Sequence, residues 1–339
     1  MEQDLKGKKI LYIGVKFFNY EIEIKKMLES MGAKVDFYNE RPSNGFFMRL
    51  MIRIKLKKLI SKKINTYYSQ LLKETERINY DYVFFVSPET IPEKQMTDLR
   101  ETQSKADFVL YMWDSFKNKN TGYAITKHFD RIFTFDENDA EKNKDFVFLP
   151  LYYLPIYNGS SDNKGKPKYD YFLACTIHSD RYKVIKKLKA QVAAKGFSMY
   201  SFLFFHSKAL YWGRKVLNPN FLFAKKSEFA FDPISQNEIT ERIAQSKVII
   251  DIQHPEQSGL TNRTFEALGA HKKLITTNPN IKSYDFYNPQ NIYIIDRNNP
   301  ILDEGFLNGA YQKPSDRIYQ KYTLKNWLHV IFNLEGAIA

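Results

Sequence analysis

Cysteine is almost absent from this chain: Cys175 is the only one in 339 residues. No internal disulfide framework can form, and the chain suits a reducing compartment. Long apolar runs are also missing, because no stretch reaches the roughly 18 uninterrupted apolar residues that a membrane span requires. The opening residues, MEQDLKGKKILYIGV, place acids ahead of a short apolar run and lack the layout of a signal peptide. A cytoplasmic address is therefore expected. Repeats of fixed period are absent, which excludes arrays and solenoids. The histidines, the carboxylates and Cys175 show no metal-ligand spacing, so neither a metal nor a cofactor is expected.

What is present is ample material for burial. Apolar residues make up 43% of the chain and aromatics 16%, which argues for a globular protein rather than a disordered one. A length of 339 residues favours two domains, since single cores rarely grow past about 250 residues. The formal charge of +13 invites three kinds of partner: nucleic acid, an anionic membrane surface, or a phosphorylated small molecule.

Short apolar strands alternate with helix-length polar stretches from the start. KKILYIGV (8–15) is followed by a helix near 20–31, and then come AKVDFYNE (33–40), YDYVFFVSP (80–88), DFVLYMWD (107–114) and DRIFTFD (130–136). Such alternation predicts an open parallel sheet, whose ligand crevice lies off the carboxyl ends of the strands. LPIYNGSSDNKGKPK (154–168) reads as a linker. A second series follows: YDYFLACT (169–176), FSMYSFLFF (197–205), VIIDIQ (248–253), KLITTN (273–278) and IYIID (292–296). The expected fold is α/β, with two Rossmann-like doubly wound domains facing a central cleft. Residues 1–155 form the first, 156–315 the second, and 316–339 a closing helix that returns toward the first.

The stretch SGLTNRTFEALGAHKKLITTN (258–278) departs from a plain amphipathic helix. A helix that begins just after a strand presents free backbone N–H groups and a positive dipole end, which together attract an anion. Ser258, Gly259, Leu260, Thr261 and Asn262 occupy that turn, where small residues let a phosphate come close. Arg263 adds a forked cation suited to phosphate oxygens, and Glu266 has the reach to accept the paired hydroxyls of a ribose. The plainer reading makes Ser258 a cap, Arg263 a solvated charge and Glu266 half of a surface pair.

In this stretch the chain resembles glycosyltransferases of the GT-B fold, in particular bacterial enzymes of capsule and lipopolysaccharide synthesis. Retaining members carry two glutamates with seven residues between them, then a small-residue segment and a strand. Glu266 matches the second glutamate and EALGAHKKLITTN matches the continuation, while Ser258 stands where the first glutamate contacts the donor sugar. The resemblance implies a nucleotide-sugar donor in the second domain, with donor-phosphate contacts after its first strand from Thr176, His178, Arg181 and Lys186. It also implies base contacts near SEFAFDPISQNEITERIAQSK (227–247), where Phe231 is a stacking candidate; the alternative for Phe231 is a core aromatic. For Lys186 the alternative is a solvated helix face, and for His178 a loop hydrogen bond. No Asp-x-Asp motif of the other major glycosyltransferase fold occurs, so the diphosphate leaving group would rest on helix N-terminal amides, Arg263 and Arg181.

A donor in the second domain leaves the acceptor and any general base to the first. Asp114 closes the strand DFVLYMWD and is the candidate base, against the alternative of a turn aspartate; Glu21 and Glu89 are further acidic candidates. FFMRLMIRIKLKKLISKKI (46–64) is basic throughout, with Arg49, Arg53, Lys57 and Lys58 among apolar residues and no acid. Such a helix suits an anionic inner-membrane surface and a lipid-linked or glycan acceptor, each basic residue contributing about 1 kcal/mol near the bilayer. The alternative is a helix packed on the first sheet. The competing functions are a nucleotide-sugar epimerase of the same architecture and a non-enzymatic nucleic-acid binder. The second has no recognisable reading motif, so no nucleic-acid partner is expected.

Overall fold

The computed structural model describes residues 4–43, 45, 48, 51–52, 56–116, 120–160 and 165–338. It divides into two compact units, Met1–Pro150 with Leu324–Ala339, and Leu151–Thr323. The chain enters the second unit ahead of the 154–168 stretch expected as the linker, because Tyr153, Leu154 and Tyr157 are already buried in that unit.

The first unit is built on six parallel strands: β1 (Lys9–Gly14), β2 (Lys34–Asn39), β3 (Tyr82–Val86), β4 (Asp107–Met112), β5 (Arg131–Thr134) and β6 (Phe146–Phe148), in the order β2-β1-β3-β4-β5-β6. The central strands read as nearly unbroken apolar runs because helices cover both faces of the sheet. Alternate residues serve each side. Leu11, Ile13, Val83, Phe85, Phe108 and Leu110 join one core. On the other face Tyr111 and Phe84 meet Trp327, at centroid distances of 4.7 and 6.0 Å, and Phe84 meets Phe332 at 5.4 Å. Those last two residues come from the helix Leu324–Phe332, which belongs to this unit.

One expectation changes here. The tail expected as one closing helix over 316–339 contains two, Asp316–Lys321 and Leu324–Phe332. The break at Tyr322–Thr323 occurs where the Tyr153 N–H donates to the Tyr322 carbonyl at 2.9 Å, and where the Thr323 hydroxyl bonds back to the Gln320 carbonyl at 2.8 Å. The described apolar residues of the basic stretch 46–64 divide between core and surface. Met48, Met51, Ile52, Ile60 and Ile64 are buried in the first core, whereas Leu56 is 46% and Leu59 72% exposed. Lys57 donates to the Glu89 carbonyl and Lys58 falls in a short turn of helix, while Arg49 and Arg53 lie outside the described residues. No helix among the described residues is long and apolar enough to cross a membrane.

The second unit carries five parallel strands: β7 (Tyr169–Thr176), β8 (Met199–Phe204), β9 (Ser246–Asp251), β10 (Lys273–Thr276) and β11 (Ile292–Ile294), in the order β11-β10-β9-β7-β8. The strand sequence reverses between β7 and β9, so both of their connections leave that junction on opposite sides. A crevice opens at the carboxyl ends of such a pair, and it is where open α/β sheets bind ligands. The short β6 escaped the sequence reading because only one of its residues, Phe146, is buried.

Candidate functional site

At the β7/β9 junction β9 ends on Asp251 and β7 on Thr176. Asp251 is buried and accepts the hydroxyl of Thr261 at 2.9 Å. Thr261 is the residue that precedes the helix Asn262–Gly269, and its backbone is extended, as a capping residue's should be. Its side chain does not cap the helix, because Asp251 holds the hydroxyl. No side-chain cap therefore covers the first turn of this helix, and the dipole end stays attractive to an anion. Burial lifts the Asp251 carboxyl above the usual carboxylate range; Arg181, the Thr261 hydroxyl and Arg263 pull it back down, and Glu266 adds to the lift.

One turn further on, Arg263 and Glu266 pair with each other, with side chains only 14% and 6% exposed. The Arg263 guanidinium also lies over the Phe172 ring, 5.2 Å from its centroid. Neither a solvated arginine nor a surface pair describes this arrangement. Two charges removed from water carry a desolvation cost that a helix packed for stability alone would avoid with apolar residues. Tyr157 stands beside both, and burial with the nearby Glu266 pushes its phenol well above the ordinary range.

The approach to this helix is held from the neighbouring strand. The Asn278 side-chain amide, just past β10, donates to the Ser258 carbonyl at 3.0 Å and to that of Gly259 at 3.4 Å, and Asn280 donates to Ser258 at 3.2 Å. Leu260 is buried beneath the loop. Arg181 spans the junction itself, donating to the Ile252 carbonyl and, at 3.0 Å, to that of Thr176. It clamps the ends of β7 and β9 together. His178 and His254, one from each of the two loops, face each other with ring centroids 5.1 Å apart. Arg297 joins Asp180 at 2.6 Å and the Gln253 carbonyl.

Two candidates sit apart from this cluster. Lys186 is exposed on the helix Arg181–Ala194, with its amine over the Tyr182 ring at 6.0 Å, on the solvated side shared with Lys183 and Lys187. Phe231 packs against the second core, stacked on Phe205 at 6.5 Å and edge-on to Tyr211 at 6.1 Å, as a core aromatic would. Asp251, Asn278, His254 and Arg297 were not singled out from sequence. Asp251 had a legible signal, since it ends a strand; the other three are recruited by tertiary contacts alone.

In the first unit Asp114 follows β4 by two residues and is half-buried. The neighbouring Trp113 N–H donates to the Ser87 hydroxyl at 2.9 Å, and Ser87 itself has φ +48° just past β3. A non-glycine residue held in the left-handed region at a strand end stores strain of the kind found at functional turns. Trp113 also meets Phe17 at 6.1 Å and Tyr20 at 6.2 Å. Glu21 is buried and accepts the Phe17 N–H at 3.0 Å, and Glu89 pairs with Arg41 at 2.8 Å. Glu40, fully buried at the end of β2, accepts the Glu89 and Thr90 N–H groups, and burial raises its carboxyl. Among the described residues no group of three or more His, Cys, Asp or Glu side chains is arranged to hold a metal ion.

No protein-family profile and no curated protein matches the sequence. Solved structures do match. HepE from Anabaena, in complex with UDP and glucose, aligns over 96% of this chain and 98% of its own, with TM-score 0.57 and 11% identity. The catalytic domain of starch synthase IV from Arabidopsis thaliana, bound to ADP and acarbose, aligns over 93% and 94%, with TM-score 0.53 and 8% identity. A UDP-GlcNAc 2-epimerase from Methanocaldococcus jannaschii aligns over 96% and 99%, with TM-score 0.51 and 10% identity. Likeness at such identities speaks for architecture and leaves chemistry to the site. The chain resembles the GT-B glycosyltransferases in fold, with two Rossmann-like α/β units.

Proposed function

We propose that this protein is a glycosyltransferase that moves a sugar from a nucleotide-sugar donor to a hydroxyl of a glycan or lipid-linked glycan in cell-surface polysaccharide synthesis. The observation that carries the reading is the β7/β9 junction, where a helix with no side-chain cap starts beside Asp251 and holds the buried Arg263 and Glu266 pair. The donor diphosphate docks on the amides of Asn262 and Arg263, and Glu266 takes the ribose hydroxyls. In the reaction the acceptor hydroxyl attacks the anomeric carbon, the bond from that carbon to the diphosphate oxygen breaks, and a base takes the hydroxyl proton. Charge that develops on the departing diphosphate is stabilised by the helix amides and by Arg263.

Thermal unfolding with a panel of nucleoside diphosphates and nucleotide sugars tests this. A ligand present at a hundred times its dissociation constant stabilises by about 2.7 kcal/mol, or about 5 to 10 °C for a unit of this size. One nucleotide is expected to give that shift and Glu266→Ala to abolish it. No shift with any nucleotide would end the donor-site reading. A second reading, a nucleotide-sugar epimerase or hydrolase, takes support from the architecture shared with the 2-epimerase. It is distinguished by consumption of the donor in the absence of any acceptor.

A further inference from the structure

In the second unit the helix Lys208–Leu217 and the turn after it present large apolar side chains to solvent. Val216 is 82% exposed, Leu217 84% and Phe223 81%, with Trp212 and Leu222 more than half exposed beside them. Single exposed apolar residues are ordinary, but five within residues 212–223 form a patch of the kind that marks an interaction site. This tip is also built. Tyr211 is buried and donates to the Ala224 carbonyl at 2.9 Å, and Phe221 is buried in a stack on Tyr182 at 4.6 Å. The Asn218 side chain accepts the Asn220 N–H at 3.0 Å, and so caps the short turn Pro219–Phe221. These anchors hold Val216, Leu217, Leu222 and Phe223 outward.

The charge of this segment is predominantly positive. Residues 207–228 contain Lys208, Arg214, Lys215, Lys225 and Lys226 against one acid, Glu228, which accepts the Tyr182 hydroxyl at 3.0 Å. Lys208, Lys225 and Lys226 are exposed, and Lys215 lies over the Trp212 ring at 5.7 Å. A segment that exposes a tryptophan and four further apolar side chains together with lysines complements the headgroup boundary of an anionic bilayer. A second copy of the chain meeting this patch through a two-fold axis would set the same cations against each other.

We propose that the tip formed by Trp212, Val216, Leu217, Leu222 and Phe223 is a docking surface for an anionic lipid bilayer, with Lys208, Lys225 and Lys226 at the lipid phosphates. This goes beyond the transferase reading and does not rest on it, since lipid binding is read without donor or acceptor. It assigns the lipid contact to the second unit rather than to the 46–64 stretch of the first.

Flotation of the full chain with vesicles of equimolar phosphatidylglycerol and phosphatidylcholine, against pure phosphatidylcholine, is the test. The intact chain is expected to float only with the anionic vesicles. Leu217→Ser/Phe223→Ser is expected to lower partitioning at least about tenfold, and Lys225→Gln/Lys226→Gln to lower it several-fold and to flatten its salt dependence. Unchanged thermal midpoints verify that these surface variants fold. Failure of the intact chain to bind anionic vesicles overturns the proposal. So does full binding by Leu217→Ser/Phe223→Ser with loss in Lys57→Gln/Lys58→Gln, which would return the contact to the first unit. A dimer in light scattering that Leu217→Ser/Phe223→Ser dissolves, without vesicle binding, would assign the patch to a second copy.

Discussion

Asp114→Asn is expected to lower turnover by about two to four orders of magnitude, equivalent to about 3 to 5 kcal/mol of transition-state stabilisation. Nucleotide affinity should stay unchanged, because the donor cluster lies in the other unit. Asparagine keeps the shape of aspartate and accepts hydrogen bonds, but it cannot take the proton that the acceptor hydroxyl loses. The location supports this assignment. Asp114 stands just past the carboxyl end of β4, on backbone fixed by the Trp113 to Ser87 hydrogen bond of 2.9 Å. Steady-state kinetics with the donor identified by thermal shift separates the outcomes. A fall in kcat at constant donor affinity supports the base role, whereas full activity in the variant removes Asp114 from the mechanism. Equal losses of donor affinity and turnover would mean that the substitution disturbs the fold instead.

The second large effect concerns stability, and its sign runs against helix propensity. Gly269 ends the helix that carries Glu266, and exchanging an interior helical glycine for alanine ordinarily gains up to about 1 kcal/mol. Here a Cβ would sit 2.6 Å from two carbons of the Tyr153 ring. Tyr153 has little room to retreat. It is buried, its hydroxyl donates to the Tyr319 carbonyl at 3.0 Å, and the two rings lie 5.1 Å apart. Tyr319 in turn donates to the Gly269 carbonyl at 2.6 Å and receives the Gly159 N–H at 3.0 Å. Overpacking of this kind costs about 1 to 3 kcal/mol. Gly269→Ala should therefore lower the melting temperature by about 3 to 10 °C, and Gly269→Leu should do more. In a Tyr153→Leu background the alanine penalty should shrink, as a double-mutant cycle would register. A Gly269→Ala protein as stable as the parent would mean that the ring yields and that the contact is not a constraint.

Much of the architecture was written in strand-length apolar runs. The runs KKILYIGV, YDYVFFVSP, DFVLYMWD, YDYFLACT and VIIDIQ each contain an observed strand or most of one, because strands buried on both faces of a parallel sheet have little freedom to be anything but apolar. That a helix opens within this stretch was legible for a similar local reason, since a cluster of small and polar residues between a strand and a helical run has few other uses, but the residue before the helix is Thr261 and not Ser258. The sequence left Glu266 between a ribose contact and half of a surface pair, and only its burial decided against the second.

Tertiary structure alone decided the partners. Periodicity treats Arg263 and Glu266 as neighbours on a helix, but only the packing of that helix on the sheet buries both and sets Arg263 over Phe172, ninety-one positions away in the chain by direct subtraction of residue numbers. The 46–64 stretch has the composition of a lipid-binding helix, yet a core takes up Met48, Met51, Ile52, Ile60 and Ile64 while Leu56 and Leu59 stay exposed. Amphipathicity states that a face must be covered and is silent on what covers it. The exposed tip at 216–223 has the opposite history: nothing in its sequence separates Leu217 and Phe223 from the buried Tyr211 and Phe221 beside them, and only the fold leaves one pair outside and the other within.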